Sequence, residues 1–348
     1  MLRLILASAL LFVLGGVLSA AMPQIGSTKA AAKPPILQVY TYQGFISKWG
    51  AGEEIKKSFE KTHACTLKWV TSADAMSLYA RLLLEGAKLD ADVVLGLDSL
   101  LAPELRKSAL LEPYRPQARD TIVKSALFAE DDLLTPYSLG YFALMYDMRK
   151  IKPYASWEAL LADPGAHKKL ILEDPRTSSV GFGLMVWLRE IYGDKYPEAV
   201  KKLQDKTLTI SKGWSEAYGL FLKGEAPMVL SYTLSEAYHR AELKDKSPYR
   251  YMEFKEGHLA QIETMGLLKA SKNLELGKKF IDHMLSLASQ KILAAQESVY
   301  PVISAAELSP AAKEVKIPQL IITAFADKFP QDFRSQWTRQ WIDLATSK

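Results

Sequence analysis

From Ile36 onward, short β-rich runs alternate with amphipathic helical stretches, and that alternation confines the chain to an α/β fold. Ile36–Thr41 reads as a strand, and Glu53–Glu60 as a helix with Ile55 and Phe59 four residues apart. Leu67–Val70 is a second strand, Ala75–Glu85 a second helix carrying Met76, Tyr79 and Leu83 on one face, and Ala91–Leu95 a third strand. Such a series predicts a mostly parallel sheet. A second block follows, with strands at Leu170–Leu172, Thr207–Ile210 and Met228–Ser231 and helices at Phe182–Ile191, Ser215–Leu222 and Leu234–Leu243. Tyr141–Tyr146 and Leu259–Leu268 lie between the blocks, where a chain would cross from one to the other. Helices at Leu276–Leu285, Gln290–Ala295 and Arg334–Leu344 follow, with Pro318–Phe325 before the last. A chain of 348 residues stretches a single core, so two lobes are expected. The pattern divides them into residues 35–138 with 264–312, and residues 139–263 with 313–348.

Residues 1–21 differ from the rest. Arg3 precedes an apolar run, Leu4–Leu18, which ends in Ser19, Ala20 and Ala21, the order expected of a secretory signal peptide. Residues 22–34 read as a flexible leader. The expected destination is the periplasm, with a soluble body after Met22. Net charge is +5, or +4 without Arg3, and no basic stripe with interleaved aromatics points to nucleic acid. Cys65 is the sole cysteine, so stability comes from the core without an internal disulfide.

Few marks of catalysis are present. His63, His167, His239, His258 and His283 are scattered, without HExxH or metal-ligand spacing, and no GxSxG, P-loop or GxGxxG occurs. Asp74, Asp92 and Asp98 fall near strand ends, where a carboxylate can serve a site or cap the next helix. Cys65, between a helix and a strand, reads as a small buried hydrophobe. Aromatics, by contrast, gather at element ends: Tyr42 with Trp49 just beyond, Trp214 opening a helix, Tyr232 closing a strand, and Tyr238 one turn further on. Ligands of open α/β sheets bind outside the carboxyl ends of strands, so Tyr42 and Tyr232 should face a shared cleft. Together these rings would suit a flat, cationic heteroaromatic. Each ring alone serves equally well as core or rim packing. Ser178 or Ser179, after Asp174-Pro175-Arg176-Thr177, is placed to cap a helix whose free N–H groups also suit an anion.

Several segments carry a resemblance: VYTYxxFxxxWGxG (Val39–Gly52), ADVVLGLD (Ala91–Asp98), GYFALMYD (Gly140–Asp147), EDPRTSSVGFGL (Glu173–Leu184), KGWSEAYGLFLKGE (Lys212–Glu225), VLSYTLSEAY (Val229–Tyr238), EGH (Glu256–His258) and YPV (Tyr300–Val302). In this order they resemble the periplasmic thiamine-binding proteins of bacterial ABC importers. The resemblance implies a type II periplasmic-binding fold, two lobes joined by a hinge of crossing strands. It further implies delivery of thiamine or its mono- or diphosphate to a permease and its ATPase. A hinge that must dock on a permease favours a monomer, and the missing catalytic and metal-ligand motifs point to a protein that is not an enzyme and holds no metal or cofactor. Membrane contact then comes only through the permease. Carried over by position, the family's contacts fall on Asp74 and Ala75, on Ser178 and Ser179, on Trp214, and on Tyr232, Thr233, Leu234 and Ser235, with Tyr42, Tyr238 and Trp49 as further walls. Three positions depart from the family pattern: Ala75 replaces a glycine, Gln43 an aspartate, and Ser298 a tryptophan that would have stacked on the ligand. Competing readings are a binding protein for ferric ion or a polyamine, and a thiaminase-like enzyme on the same scaffold. The former would favour adjacent tyrosines, whereas Tyr232 is followed by Thr233; the latter needs an activated cysteine nucleophile.

Overall fold

The computed structural model describes residues 33–127, 132–243, 246–324, 328–330 and 332–346. The predicted signal peptide and nearly all of the predicted leader lie outside them, as does Phe325. Among the described residues, twelve strands form one sheet. They are β1 (Ile36–Tyr42), β2 (Thr66–Ser72), β3 (Val93–Asp98), β4 (Leu111–Glu112), β5 (Thr135–Asp147), β6 (Leu170–Glu173), β7 (Thr207–Ser211), β8 (Met228–Tyr232), β9 (Tyr249–Tyr251), β10 (His258–Leu268), β11 (Tyr300–Pro301) and β12 (Ile321–Ile322). The main path runs β2-β1-β3-β10-β5-β8-β6-β7, with the four short strands β4, β9, β11 and β12 added at the sides.

The two stretches expected to cross between blocks are the two longest strands, β5 with 13 residues and β10 with 11, and they pair with each other at the middle of the path. Thr135–Tyr141 of β5 lie along β10, with Ser138 and Leu139 also pairing with β11, while Phe142–Tyr146 pair with β8. One strand thus belongs to both halves. β3 joins the first half to β10, and β8 joins the second half to β5. The expected parallel pairing holds for the outer strands, where β1 pairs with β2 and β3, and β6 with β7 and β8, and for the short β12 beside β10. Each crossing strand pairs antiparallel with β3 or β8 and with the other crossing strand. Direction reverses there because the chain leaves a lobe against the run of that lobe's own strands.

Apolar side chains account for the layers. Ile55 and Phe59, fully buried, bring helix Gly52–Thr62 against Leu37, Val39 and Phe280 in one core cluster. Trp157, Trp187 and Phe254 fill another, around helix Ser179–Tyr192. Burying a side chain of this size stabilises by about 1.5–3 kcal/mol. Two helices absent from the sequence reading complete the second half, Trp157–Ala162 and Tyr196–Lys206. Pro197 opens the latter, and Ala199, Val200 and Leu203 form its buried face. Among the described residues no helix is long and apolar enough to cross a membrane. Pro318–Phe325 contributes only the two residues of β12 among those described.

Candidate functional site

A cavity opens where the halves meet, with about 1130 Å³ of empty space including its mouth. Tyr42, Trp49, Asp74, Ala75, Ser179, Trp214, Tyr232, Thr233, Leu234, Ser235 and Tyr238 all line it. Ser178 lies just behind, fully buried, with its hydroxyl 3.2 Å from the Asp74 carboxylate.

Local structure explains how the rings reach this space. Tyr42 ends β1, and its ring lies against Gly96, where a Cβ would fall 2.3 Å from a ring carbon. Gly96 has φ +96°, so glycine both fits the backbone and clears the ring. Tyr232 ends β8, stacks on Phe142 with centroids 5.2 Å apart, and donates its hydroxyl to Gln261 Oε1 at 2.6 Å. Trp214 is the first residue of helix Trp214–Lys223; it stacks on Tyr218 at 4.8 Å and donates its indole N–H to Ser231 Oγ at 2.9 Å. Trp49 stands edge-on to Trp214, 6.4 Å away, with the Lys48 ammonium 4.7 Å from its centroid.

Carboxylates form the remaining wall. Asp74 is the N-cap of helix Ala75–Glu85 in a capping box with Ser77. The same carboxylate accepts the Ser179 N–H at 2.9 Å and the Ser178 hydroxyl, so it also reaches the start of helix Ser179–Tyr192 in the other half. Burial pushes its pKa up against the pull of these donors. Ser178 caps its own helix, accepting from the Val180 N–H. Glu263 accepts from the Ser138 hydroxyl at 2.6 Å and the Tyr137 hydroxyl at 3.1 Å. Glu297 accepts a long bond, 3.4 Å, from the Ala51 N–H. Both line the cavity, and burial raises both pKa values, with the Glu263 charge adding to the rise at Glu297. Behind the wall, Asp98 accepts from the Leu100 and Leu101 N–H groups and from Gln261 Nε2, and burial lifts it to about 6. Glu173, with no solvent exposure, has no hydrogen-bond partner at either carboxyl oxygen and is pushed well up by burial and then by Asp74. Among the described residues no Lys, Arg or His lines the cavity.

The other sequence candidates separate from the site. Asp92 caps no helix of its own; it accepts from the Gln38, Lys272 and Asn273 N–H groups and the Ser271 hydroxyl, tying β1 to the start of helix Leu274–Met284. Cys65 is half-buried at the junction of helix Gly52–Thr62 and β2, outside the cavity lining. Among the described residues, no group of three or more His, Cys, Asp and Glu could hold a metal ion. Of the family departures, Ala75 is buried at the cavity wall; Ser298 lines it with φ +53° beside Tyr300, whose ring is 4.8 Å from Tyr141. The sequence reading missed Ser138, Gln261, Glu263 and Glu297. Its available signal was spacing: Gln261 and Glu263 interrupt an apolar strand two residues apart, so both face one side, as do Ser138 and Gly140 on β5.

An aromatic cavity at the crossing of two α/β halves is the architecture of a protein that encloses a small solute. The chain belongs to the bacterial extracellular solute-binding proteins, whose family model matches residues 54–319. Within that family it is 38% identical over 328 residues to the thiamine-binding periplasmic protein of Brucella melitensis, covering 93% of this chain and 96% of the relative. It is 43% identical over 268 residues to the protein of that name from Escherichia coli, covering 77% and 81%. A solved structure described as a periplasmic thiamin binding protein superposes with a TM-score of 0.85 at 39% identity, covering 90% of this chain and 97% of that one.

Proposed function

We propose that the cavity captures thiamine in the periplasm and that the protein delivers it to the permease and ATPase of an ABC importer. One observation carries this reading: Trp214, Tyr232, Tyr42 and Tyr238 share a cavity with Asp74, Glu263 and Glu297, and no basic side chain among the described residues lines it. Thiamine is a permanent cation with two flat heteroaromatic rings. The indole and phenol faces stabilise it by stacking and cation–π attraction, about 0.5–2 kcal/mol each, and the carboxylates supply the counter-charge. Closure of the lobes about β5 and β10 would then exclude water. The mono- and diphosphate are further candidates. Their phosphoryl group would approach the start of helix Ser179–Tyr192, where Asp74 already takes up the Ser179 N–H and the Ser178 hydroxyl. Cys65 lies outside the cavity lining, which favours binding without turnover.

Isothermal titration of the purified chain with thiamine tests the proposal, alongside its mono- and diphosphate, ferric citrate and spermidine. One thiamine bound per chain and recovered unchanged is the expected result. Heat with ferric citrate or spermidine and none with any thiamine compound would overturn it.

A further inference from the structure

Trp214 is held by more than its own bond to Ser231. Its indole N–H donates to Ser231 Oγ at 2.9 Å, Ser231 Oγ lies 2.9 Å from Ser235 Oγ, and the Tyr218 ring beneath the indole has its hydroxyl 2.8 Å from His239 Nε2. Ser231, Ser235, Tyr218 and His239 are all buried. An indole N–H only donates, so Ser231 accepts from Trp214. Tyr218 gives its hydroxyl proton to His239, provided that Nε2 of His239 carries a lone pair. The three rings form one stack. Trp214 stacks on Tyr218 at 22°, and Tyr218 on His239 at 13° with centroids 5.8 Å apart.

We propose that His239 is a positioning residue: as the neutral acceptor of the Tyr218 hydroxyl at the far end of the stack Trp214–Tyr218–His239, it fixes the indole face that Trp214 presents to the ligand. Burial also lowers the imidazole to about 4, which keeps it neutral at ordinary pH. An imidazolium would give Nε2 a proton, and the Tyr218 proton would then lose its acceptor inside the core. Nothing near His239 in the sequence signals this role, because its hydrogen-bond partner Tyr218 lies on another element, 21 residues away.

The part played by thiamine here rests on the function proposed above, so the experiment has one readout that needs no ligand. With tryptophan labelled with nitrogen-15, the Trp214 indole N–H resonance is assigned by its loss in Trp214→Phe and followed in ligand-free protein. His239→Phe keeps a ring in the stack and removes the acceptor; it is expected to shift that resonance and to weaken thiamine binding at least fivefold. Tyr218→Phe, which keeps the stacked ring and removes the hydroxyl that His239 holds, should shift it similarly. His239→Gln, which restores an acceptor oxygen, should return both readouts to within twofold or to the wild-type position. Phe221→Leu in the same core cluster should lower stability and leave the resonance in place. An unmoved resonance in both His239→Phe and Tyr218→Phe overturns the proposal, as does a Gln variant as impaired as the Phe variant or an equal shift in Phe221→Leu. If the resonance behaves as expected while wild type ignores thiamine, the ligand assignment fails and the positioning role of His239 stands.

Discussion

Replacing Gly96 by alanine isolates the contact that places Tyr42 in the cavity. A Cβ at this position would lie 2.3 and 2.4 Å from two carbons of the Tyr42 ring. Carbon atoms touch comfortably at about 3.5 Å, so the ring must retreat by roughly 1 Å. Its far edge meets Gly44, where a Cβ would already stand 3.0 Å away, and Phe45 packs edge-on at 6.2 Å, so the retreat disturbs neighbours as well. Backbone strain adds to this, because φ +96° costs a residue with a side chain about 1–3 kcal/mol. With the steric term, a loss of about 2–4 kcal/mol is expected, a fall in Tm of roughly 3–6 °C for a chain of this size. Thiamine affinity should fall about tenfold or more, because one aromatic wall moves. Gly86→Ala separates the two causes: Gly86 has φ +51° but nothing within 4 Å of its would-be Cβ. It should lose stability, by about 1–2 kcal/mol, and keep its affinity. Thermal denaturation and isothermal titration measure both. A Gly96→Ala variant with wild-type affinity would refute the claim that this glycine seats the ring.

Trp214→Ala should weaken thiamine binding at least tenfold, since lost stacking and cation–π attraction together amount to about 1–3.5 kcal/mol; an unchanged dissociation constant in titration counts against the aromatic wall. Thiamine binding should release protons, because burial raises Glu263 and Glu297 in the free protein and a bound cation favours their ionised forms. Affinity therefore rises with pH above the ordinary glutamate range, and titrations in buffers of different ionisation heat should give a smaller release for Glu297→Gln; equal release in both proteins refutes this. Asp98 links stability to pH with the opposite sign from an ion-paired carboxylate. Its folded pKa of about 6 lies above the usual 3.8, so the folded state holds its proton more tightly and wild type gains stability as pH falls from 7 to 4. Relative to Asp98→Asn, which does not titrate, that gain is about 2–3 kcal/mol; denaturation curves at the two pH values that differ equally for both proteins would contradict it.

Much of this molecule was legible because its elements carry local signals. Helix Ala75–Glu85 has an aspartate cap and an apolar face, and the structure gives the residue range read from sequence. Trp214, Tyr232 and Tyr42 sit at element ends, and the rule that ligands bind beyond strand ends brings them to one place. The crossing strands were legible as apolar runs but not in their direction, since hydrophobic periodicity is the same for either orientation of a strand. The carboxylates were hidden for a different reason. Glu263 lies in the middle of β10, where a charge normally argues against burial, and only the cavity makes it tolerable. Glu297 follows helix Leu287–Gln296, where composition alone suggests a surface position. Helix Tyr196–Lys206 is a simpler omission, since Pro197 and the spacing of Ala199, Val200 and Leu203 signal it plainly.

Asp74 shows how one residue serves both the fold and the site. A helix start presents free N–H groups and about half a positive charge, and it stabilises an anion there. Asp74 meets two such starts, its own at Ala75 and that of helix Ser179–Tyr192 from the opposite half. The carboxylate thereby ties a helix of one lobe to a helix of the other, and that tie can form only while the lobes are together. Any ligand group that competes for the Ser179 N–H must replace what Asp74 already provides; a cation laid beside the carboxylate need not. The tie across the cleft therefore favours closure around a positively charged guest over an anionic one, which is the preference that the aromatic rings and the lack of basic lining side chains among the described residues impose independently.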